Sequence, residues 1–228
     1  MAIPLEQVVH VGEEVLDPGA AVAPSEVVEH FVRKAGFIWI MDNCICRQST
    51  KCKDYPVDLG CVFLGEAARD INPRLGRPAS KEEAIDHLKC CREAGLFHLV
   101  GRNKLDTFWL KVGPGDRLLT ICNCCTCCCL WSILPDVAER IGSKYTRMPG
   151  VSVAVTEKCT GCGTCVESAA CLARAIEIRD GRAVKSEACR GCGRCAEVCP
   201  QGAIEVVVED SEFVRRSIAR IESKVDVR

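Results

Sequence analysis

Apolar residues recur at helical spacing in two segments of the first half of the chain. The first segment predicts a helix over about 26–35, with Ser25 as its N-cap and Gly36 as its end. The second begins with the capping box Ser80-x-x-Glu83 and ends at Gly95. The apolar stripes of these two helices are Val27, Val28, Phe31, Val32 and Ala35, and then Ala84, Ile85, Leu88, Cys91 and Ala94.

Continuous apolar runs predict buried strands at 37–41 and 118–122. Segments 96–100 and 107–112 are expected to form a short hairpin. A short helix is expected at 136–141, and Ser211 is the predicted N-cap of a last helix with Val214, Ile218 and Ile221 on its apolar side. Helices and strands are therefore mixed along the chain, which predicts the α+β class.

The last third of the chain contains an internal repeat. Cys159-x2-Cys162-x2-Cys165 returns 30 residues later as Cys189-x2-Cys192-x2-Cys195, and each copy leads into an Ala-Ile pair and strand-like residues. Two similar units about a pseudo-twofold axis are the simplest outcome. We therefore expect a cysteine-rich mixed domain over 1–148, a hinge at 148–150, a repeat domain over 151–209 and a helix within 210–228.

Composition changes the picture through cysteine, which accounts for 20 of the 228 residues. The start of the chain has no basic and apolar leader, and the longest apolar run is five residues, so we expect a cytoplasmic protein without membrane insertion. Adjacent cysteines seldom meet disulfide geometry, so the thiols point to metal binding. The formal net charge of −1 indicates no nucleic-acid partner, and no Gly-rich nucleotide loop is present.

The segment Cys189-x2-Cys192-x2-Cys195-x3-Cys199-Pro200 fits the bacterial ferredoxin run without a gap. Three thiolates at such spacing on a tight loop reach three corners of a cubane, and the fourth ligand comes from elsewhere. Residues 151–209 thus resemble the two-cluster bacterial-type ferredoxins. The resemblance implies a pseudo-twofold βαβ-repeat fold, two [4Fe–4S] clusters and low-potential one-electron transfer.

In that family the fourth cysteine of each run serves the other cluster. The resemblance therefore assigns Cys159, Cys162, Cys165 and Cys199 to one cluster and Cys189, Cys192, Cys195 and Cys171 to the second. This chain departs from the pattern in one place, because five residues separate Cys165 from Cys171 where the pattern has three, and Leu172 replaces the usual proline. A zinc site built from the paired CxxC motifs is the alternative.

Twelve cysteines remain outside the repeat. Cys90 and Cys91 are expected to be buried packing thiols. The other ten lie in two segments, which follow the predicted strands 37–41 and 118–121. These strands are expected to lie side by side, which would bring the cysteines of both segments to one edge of the sheet. If the last run is extended, Cys122, Cys124 and Cys128 share one face and Cys125, Cys127 and Cys129 the other. These ten are the candidate ligands of at least one further Fe–S site of open nuclearity, with structural zinc as the alternative: Cys44, Cys46, Cys52, Cys61, Cys122, Cys124, Cys125, Cys127, Cys128 and Cys129.

The N-terminal half is similar to cysteine-rich ferredoxin-domain proteins of anaerobes in Cys44-Ile-Cys46-Arg47, in 76–84 and in 121–125, a similarity that implies no activity. Arg47 is expected either to neutralise cluster charge, to hold an anionic ligand, or to be solvated. Among the histidines, His98 lies closest to the cysteine region. Trp39, Trp109 and Trp131 are expected in the core.

Three functions compete at this point. The first is low-potential electron transfer through the ferredoxin clusters and the N-terminal Fe–S site to a partner oxidoreductase. The second is a reductase whose N-terminal cluster binds substrate at an open iron and is fed by the ferredoxin clusters. The third is a redox-responsive winged-helix-like DNA-binding protein built on helix 81–94 and the hairpin, which Glu82, Glu83 and Asp86 oppose because they would face phosphate.

Overall fold

The computed structural model describes residues 20–22, 25–102, 104–130, 145–147, 150–167, 171, 173–208 and 212–228. Several predicted features lie outside these residues: the short helix at 136–141, the junction at 148–149, Trp131 and the cap residue Ser211.

A seven-stranded sheet forms the first part of the molecule, with strand order β4-β2-β3-β6-β5-β1-β7. Neighbouring strands are antiparallel except β1 and β7, which are parallel. The strands are β1 (Ala20–Val22), β2 (Ile38–Met41), β3 (Val62–Leu64), β4 (Gly76–Pro78), β5 (Phe97–Gly101), β6 (Leu119–Cys124) and β7 (Tyr145–Thr146). The helices of this part are α1 (Ser25–Lys34), α2 (Ile45–Thr50), α3 (Lys81–Glu93) and α4 (Lys104–Leu110), and Glu66–Asp70 and Gly115–Arg117 are short 3₁₀ helices.

Both faces of the sheet are buried at strand β2. Ile38 and Ile40 of β2 pack with α1 and α3 on one face. Trp39 and Met41 pack on the other face, with the 3₁₀ helix Glu66–Asp70 and with Leu110 of α4. A strand covered on both sides reads as a continuous apolar run, so the predicted buried strand at 37–41 is confirmed.

The predicted helices α1 and α3 are confirmed. The apolar stripe of α1 is buried, from Val27 to Ala35. At the start of α3, the Ser80 Oγ accepts a hydrogen bond from the Glu83 N–H (3.1 Å), and the Glu83 carboxylate accepts one from the Ser80 N–H (2.8 Å). This reciprocal capping satisfies two backbone donors that the helix leaves without partners.

The predicted hairpin at 96–112 is wrong. Strand β5 pairs with β6 and β1, and residues 107–110 belong to α4 instead. The helix buries Asp106 and Leu110, four residues apart, and leaves Phe108 exposed. This helical period overrides the strand preference of the Thr-Phe-Trp run. Without the hairpin, the chain lacks the wing that the winged-helix hypothesis requires at this position.

The strands predicted to bring the cysteines together are not neighbours, because β3 lies between β2 and β6. Each is antiparallel to β3, so β2 and β6 run in the same direction and end at the same edge. The predicted convergence of the two cysteine segments is therefore correct, although the pairing that produces it is indirect. Strand β6 also extends two residues beyond the predicted end, to Cys124.

The second part of the molecule contains the order strand–helix–strand twice. The first copy is β8 (Val151–Val155), α5 (Thr164–Glu167) and β9 (Ile176–Arg179), and the second is β10 (Arg182–Lys185), α6 (Arg194–Glu197) and β11 (Ile204–Val208). Strands β8 and β11 form one antiparallel pair, and β9 and β10 form the other. Each pair therefore contains one strand from each copy.

The chain then returns to the first sheet. Helix α7 (Phe213–Glu222) packs through Phe213, Ile218 and Ile221 against the core that contains α1, and its predicted apolar side is thereby confirmed. Val225 and Val227 are buried in the same core. The Gly36 N–H donates to the Val227 carbonyl (2.8 Å), which fixes this last segment to the end of α1.

Two glycines with similar backbone conformations provide a matched test of the close backbone contact between the loop at Gly161 and the turn at Gly181. Gly161 has a φ of +67°, and a Cβ placed there would lie 2.1 Å from the Gly181 carbonyl oxygen. Gly181 has a φ of +73° and open space around such a Cβ. We expect Gly181→Ala to cost roughly 1–2 kcal/mol through its left-handed conformation alone. Gly161→Ala should cost clearly more, because backbone has to move. Thermal unfolding midpoints of the two variants test this, and equal shifts would contradict the close approach.

Candidate metal centres

The cysteines of the second part surround two cavities. The first is lined by Cys159, Cys162, Cys165 and Cys199, and the second by Cys171, Cys189, Cys192 and Cys195. Each cavity takes three cysteines from one repeat and one from the other, which is the grouping that the ferredoxin resemblance implies. Cys171 reaches the second cavity despite the longer spacing that precedes it.

Backbone N–H groups point at the sulfurs of both cavities. The Ala183 N–H donates to Cys159 Sγ (3.3 Å), the Ala203 N–H to Cys199 Sγ (3.3 Å) and the Ala175 N–H to Cys171 Sγ (3.4 Å). Such donors stabilise negative charge on sulfur. A sulfur-only donor set with aimed N–H groups fits an iron–sulfur cluster in each cavity.

The two cavities differ in their electrostatics. Hydrogen bonds from the Ala183 and Gly161 N–H groups lower the pKa of Cys159, and the Thr164 hydroxyl lowers that of the exposed Cys162. In the second cavity, burial raises the pKa of Cys192 to about 11 and that of Cys195 to about 12. Cys159 and Cys162 of the first cavity thus favour the thiolate, although burial raises the pKa of Cys165 in the same cavity. Binding of a metal is needed to displace the protons of Cys192 and Cys195 at neutral pH.

Six N-terminal cysteines form one continuous set, which we call the six-thiol group: Cys44, Cys46, Cys61, Cys122, Cys124 and Cys129. Val62 pairs with Ile121, so Cys61 stands beside Cys122, and Cys124 lies on the same face. Cys129 interacts with both Cys124 and Cys46. This interaction with Cys129, together with burial, raises the pKa of Cys46 to about 11. The crowding of sulfurs in one place is that of a polynuclear metal site.

Four other cysteines form a tight set, which we call the four-thiol group: Cys52, Cys125, Cys127 and Cys128. All four sulfurs lie within 4.8 Å of one another. Cys127 Sγ is 3.7 Å from Cys52 Sγ and 3.5 Å from Cys128 Sγ. The Cys128 N–H donates to Cys125 Sγ (3.3 Å). Cys52 belongs to the loop after α2, and the other three belong to the segment after β6.

The structure corrects the predicted faces of the cysteine run. Cys122 and Cys124 share a face as expected, but β6 ends at Cys124 and the chain turns over 126–128. Cys129 therefore joins Cys122 and Cys124, and Cys128 joins Cys125 and Cys127. The extended alternation had placed Cys128 and Cys129 the other way round.

The two cysteines expected to be packing residues differ from each other. Cys91 is fully buried and packs with Leu96 and Cys125, as predicted. Cys90 is exposed on α3, so its expected burial is wrong. Trp39 is in the core as expected, and Trp109 is partly buried against the same core.

Arg47 is the most deeply buried charge of the described residues, with 0% of its surface exposed. Its Nη1 donates to the Asn123 carbonyl (2.8 Å) and its Nη2 to the Leu59 carbonyl. Burial acts to lower its pKa, but the sulfurs of Cys44 and Cys125 outweigh burial and raise it. Arg47 therefore stays charged and serves both thiol groups. The interpretation as a solvated arginine is wrong, and a dissolved anion has no access to it.

A buried polar network that sequence reasoning missed lies on the other side of β6 from Cys122. The Asn123 side chain bonds to His98 Nδ1 (2.8 Å) and donates to the Gly60 carbonyl (2.7 Å). Burial lowers the pKa of His98 to about 4, so this imidazole is neutral at neutral pH. The network ties β5, β6 and the loop before β3 together. A polar residue between two cysteines of a buried strand was the signal that could have found it.

Asp106 was also missed, because the incorrect hairpin concealed α4. Its carboxylate accepts hydrogen bonds from Trp109 Nε1 (3.0 Å) and the Thr120 hydroxyl (2.7 Å). Burial raises the pKa of Asp106. The pKa values of Cys61 and Cys122 are raised mainly by hydrogen bonds to the neighbouring thiols and by burial, and the charge of Asp106 adds a smaller contribution.

Residues 167–209 match the model of the LdpA Fe-S cluster-binding domain. The matched segment contains Cys171 and the whole run from Cys189 to Cys199, so it contributes sulfurs to both cavities. The chain therefore carries an iron–sulfur cluster-binding domain. No curated protein and no solved structure matches the chain. Among the helices that the structure describes, none has the length and apolar character to cross a membrane.

Replacing Arg47 tests its role beside the thiol groups. Arg47→Met should lower the free energy of unfolding by about 2–5 kcal/mol, because two buried carbonyls lose their donor and the sulfurs lose their cation. The matched control is Arg33→Met on α1, whose side chain is 66% exposed and where a change within about 0.5 kcal/mol is expected. Thermal unfolding of anaerobically purified protein measures both. Equal effects of the two substitutions would show that the burial of Arg47 contributes nothing.

Proposed function

We propose that this protein is a low-potential electron-transfer protein. Two [4Fe–4S] clusters occupy the two cavities of the second part, with Cys199 and Cys171 exchanged between the repeats. A third iron–sulfur centre is held by the six-thiol group. The three centres form one relay that exchanges electrons with a partner oxidoreductase.

One observation carries this proposal. Cys192, which lines the second cavity, packs against the apolar group formed by Phe97, Leu99, Cys124 and Cys129. Cys124 and Cys129 belong to the six-thiol group, so one packed apolar cluster joins the two sites. Arg194, which also lines the second cavity, donates to the Tyr55 hydroxyl (3.3 Å) and supports the same junction.

The opposite end of the relay is the first cavity. Cys162 is exposed there, and half-exposed Ile178 lies beside it. Four thiolates around a 2+ core leave a net charge of roughly −2, which cations and N–H groups have to offset. Lys185, Arg190 and Arg194 line the second cavity. The exposed first centre is the proposed contact for the partner, and the cation-lined second centre passes the electron inward.

The competing functions have less support. The reductase hypothesis places substrate at an open iron of the N-terminal cluster and drew support from the nearby Arg47, but Arg47 is buried against backbone carbonyls. The DNA-binding hypothesis needed a hairpin where the chain forms α4. A relay needs neither feature.

Single substitutions test the exchange of ligands between repeats. Cys159→Ser and Cys199→Ser should perturb the same cluster signal in electron paramagnetic resonance (EPR) spectra of the reduced protein. Cys189→Ser and Cys171→Ser should perturb the other signal. Cys90→Ser, on the exposed face of α3, is the matched control and should leave both signals unchanged. If Cys199→Ser instead groups with Cys189→Ser, each repeat completes its own cluster and the proposed ligand sets fail.

Removal of the third centre tests the relay. Cys46→Ser and Cys61→Ser should each reduce the iron content while the two cubane signals remain. The magnetic coupling of the second cluster to the third should disappear, and the chain should accept fewer electrons from reduced methyl viologen. The Cys90→Ser protein again serves as the control. Unchanged iron and electron counts in both variants would overturn the proposed third centre.

A further inference from the structure

The four-thiol group is separate from the proposed relay. Cys124 and Cys125 are consecutive at the end of β6, so their side chains leave the strand on opposite faces. Cys124 interacts with Cys122 and Cys129, whereas Cys125 lies with Cys52, Cys127 and Cys128. The apolar surroundings differ as well, because Cys125 packs with Cys91 and Leu96 next to α3.

The spacing of these sulfurs is that of ligands around one ion. In a tetrahedral site with metal–sulfur bonds of about 2.3 Å, neighbouring sulfurs are about 3.8 Å apart. The Cys52–Cys127 and Cys127–Cys128 sulfur distances are 3.7 and 3.5 Å, and every pair in the group lies within 4.8 Å. In a cubane each thiolate binds a different iron, so the four sulfurs stand farther apart than around one ion.

No other set of this kind occurs in the part of the chain that the structure describes. The cysteines of the two cavities and those of the six-thiol group do not bring three sulfurs within 4.8 Å of one another. The tight spacing thus distinguishes the four-thiol group from the sites that suit iron–sulfur clusters.

We propose that Cys52, Cys125, Cys127 and Cys128 bind a single tetrahedral, thiophilic metal ion, zinc or iron, that is not part of an iron–sulfur cluster. Four thiols lose four protons as the ion binds, which leaves a centre with a charge of about −2 for a divalent metal. Arg47 interacts with Cys125 and offsets part of this charge. The ion joins the loop after α2 to the turn after β6, and so holds together the two segments that also supply the six-thiol group.

The test uses the full chain, purified without oxygen. Cys127→Ser and Cys52→Ser are the variants, because Cys127 is exposed and Cys52 is half-buried, and serine is accommodated at both positions. Cys90→Ser is the matched control, as an exposed cysteine outside every thiol group. Zinc and iron per chain are measured by mass spectrometry, together with the EPR signals of the clusters.

Each variant should lose one metal atom per chain while the control loses none and the cluster signals persist. Loss of one zinc identifies a structural zinc site, and loss of one iron identifies a mononuclear iron site. X-ray absorption should then show four sulfur neighbours at about 2.3 Å without a second metal nearby. Loss of about four iron atoms would overturn the proposal, because the group would then hold a cubane.

Two further results would also overturn it. Unchanged metal content in both variants would mean that these sulfurs bind no ion. An intact mass two hydrogens short of the reduced chain, abolished by Cys127→Ser, would mean that they form a disulfide. The proposal does not rest on the electron-relay function, since the metal count of this group is read independently of the cluster signals.

Discussion

The alternation of side chains at the end of β6 is the constraint on which both proposed N-terminal metal sites depend. The register with β3 and β5 holds this strand on both sides, so Cys122 and Cys124 face one way and Asn123 and Cys125 face the other. Two sets of thiols then assemble on opposite sides of one strand. A slip of one residue in either pairing would exchange the two faces and mix the sets.

The molecule stabilises negative charge on sulfur in two ways. In the second part, backbone N–H groups donate to Cys159, Cys171 and Cys199 from the chain that follows or faces each loop. In the first part, the buried guanidinium of Arg47 lies between the two thiol groups and stabilises negative charge on their sulfurs. Arginine suits this position because its charge persists under burial and its planar fork also binds the Asn123 and Leu59 carbonyls.

The sequence predicted the local features well. A helix such as α1 or α3 is encoded by a stripe and a cap, and the two cavities are encoded by cysteine spacing on short loops. The pairing of the N-terminal strands was harder to predict from the sequence. Strand β3 has three residues, too few for a period, and it is the strand that brings β2 and β6 to one edge. The partition of the N-terminal cysteines depends on this pairing and on the turn at 126–128, which alternation alone does not encode.

Helix α4 is an element whose type was predicted incorrectly, because its segment was expected to be a strand. Its central residues Thr107, Phe108 and Trp109 prefer strands, and only the burial of Asp106 and Leu110 on one side of the helix reveals the helical period. The partners of Asp106 are Trp109 in α4 itself and Thr120 in β6, so one of the contacts that stabilise this helix comes from a distant strand. Local propensity gives no access to such a contact.

The return of the chain after β11 has a mechanical consequence. Val151 enters the core of the first sheet just before the cavity-bearing segment, and Phe213, Val225 and Val227 enter the same core after it. That segment is thereby anchored at both of its ends, as an inserted module would be, instead of swinging on a single tether. In the proposed relay, packing sets the gap that an electron crosses at Cys192, so the rate of that transfer should be insensitive to viscosity and crowding.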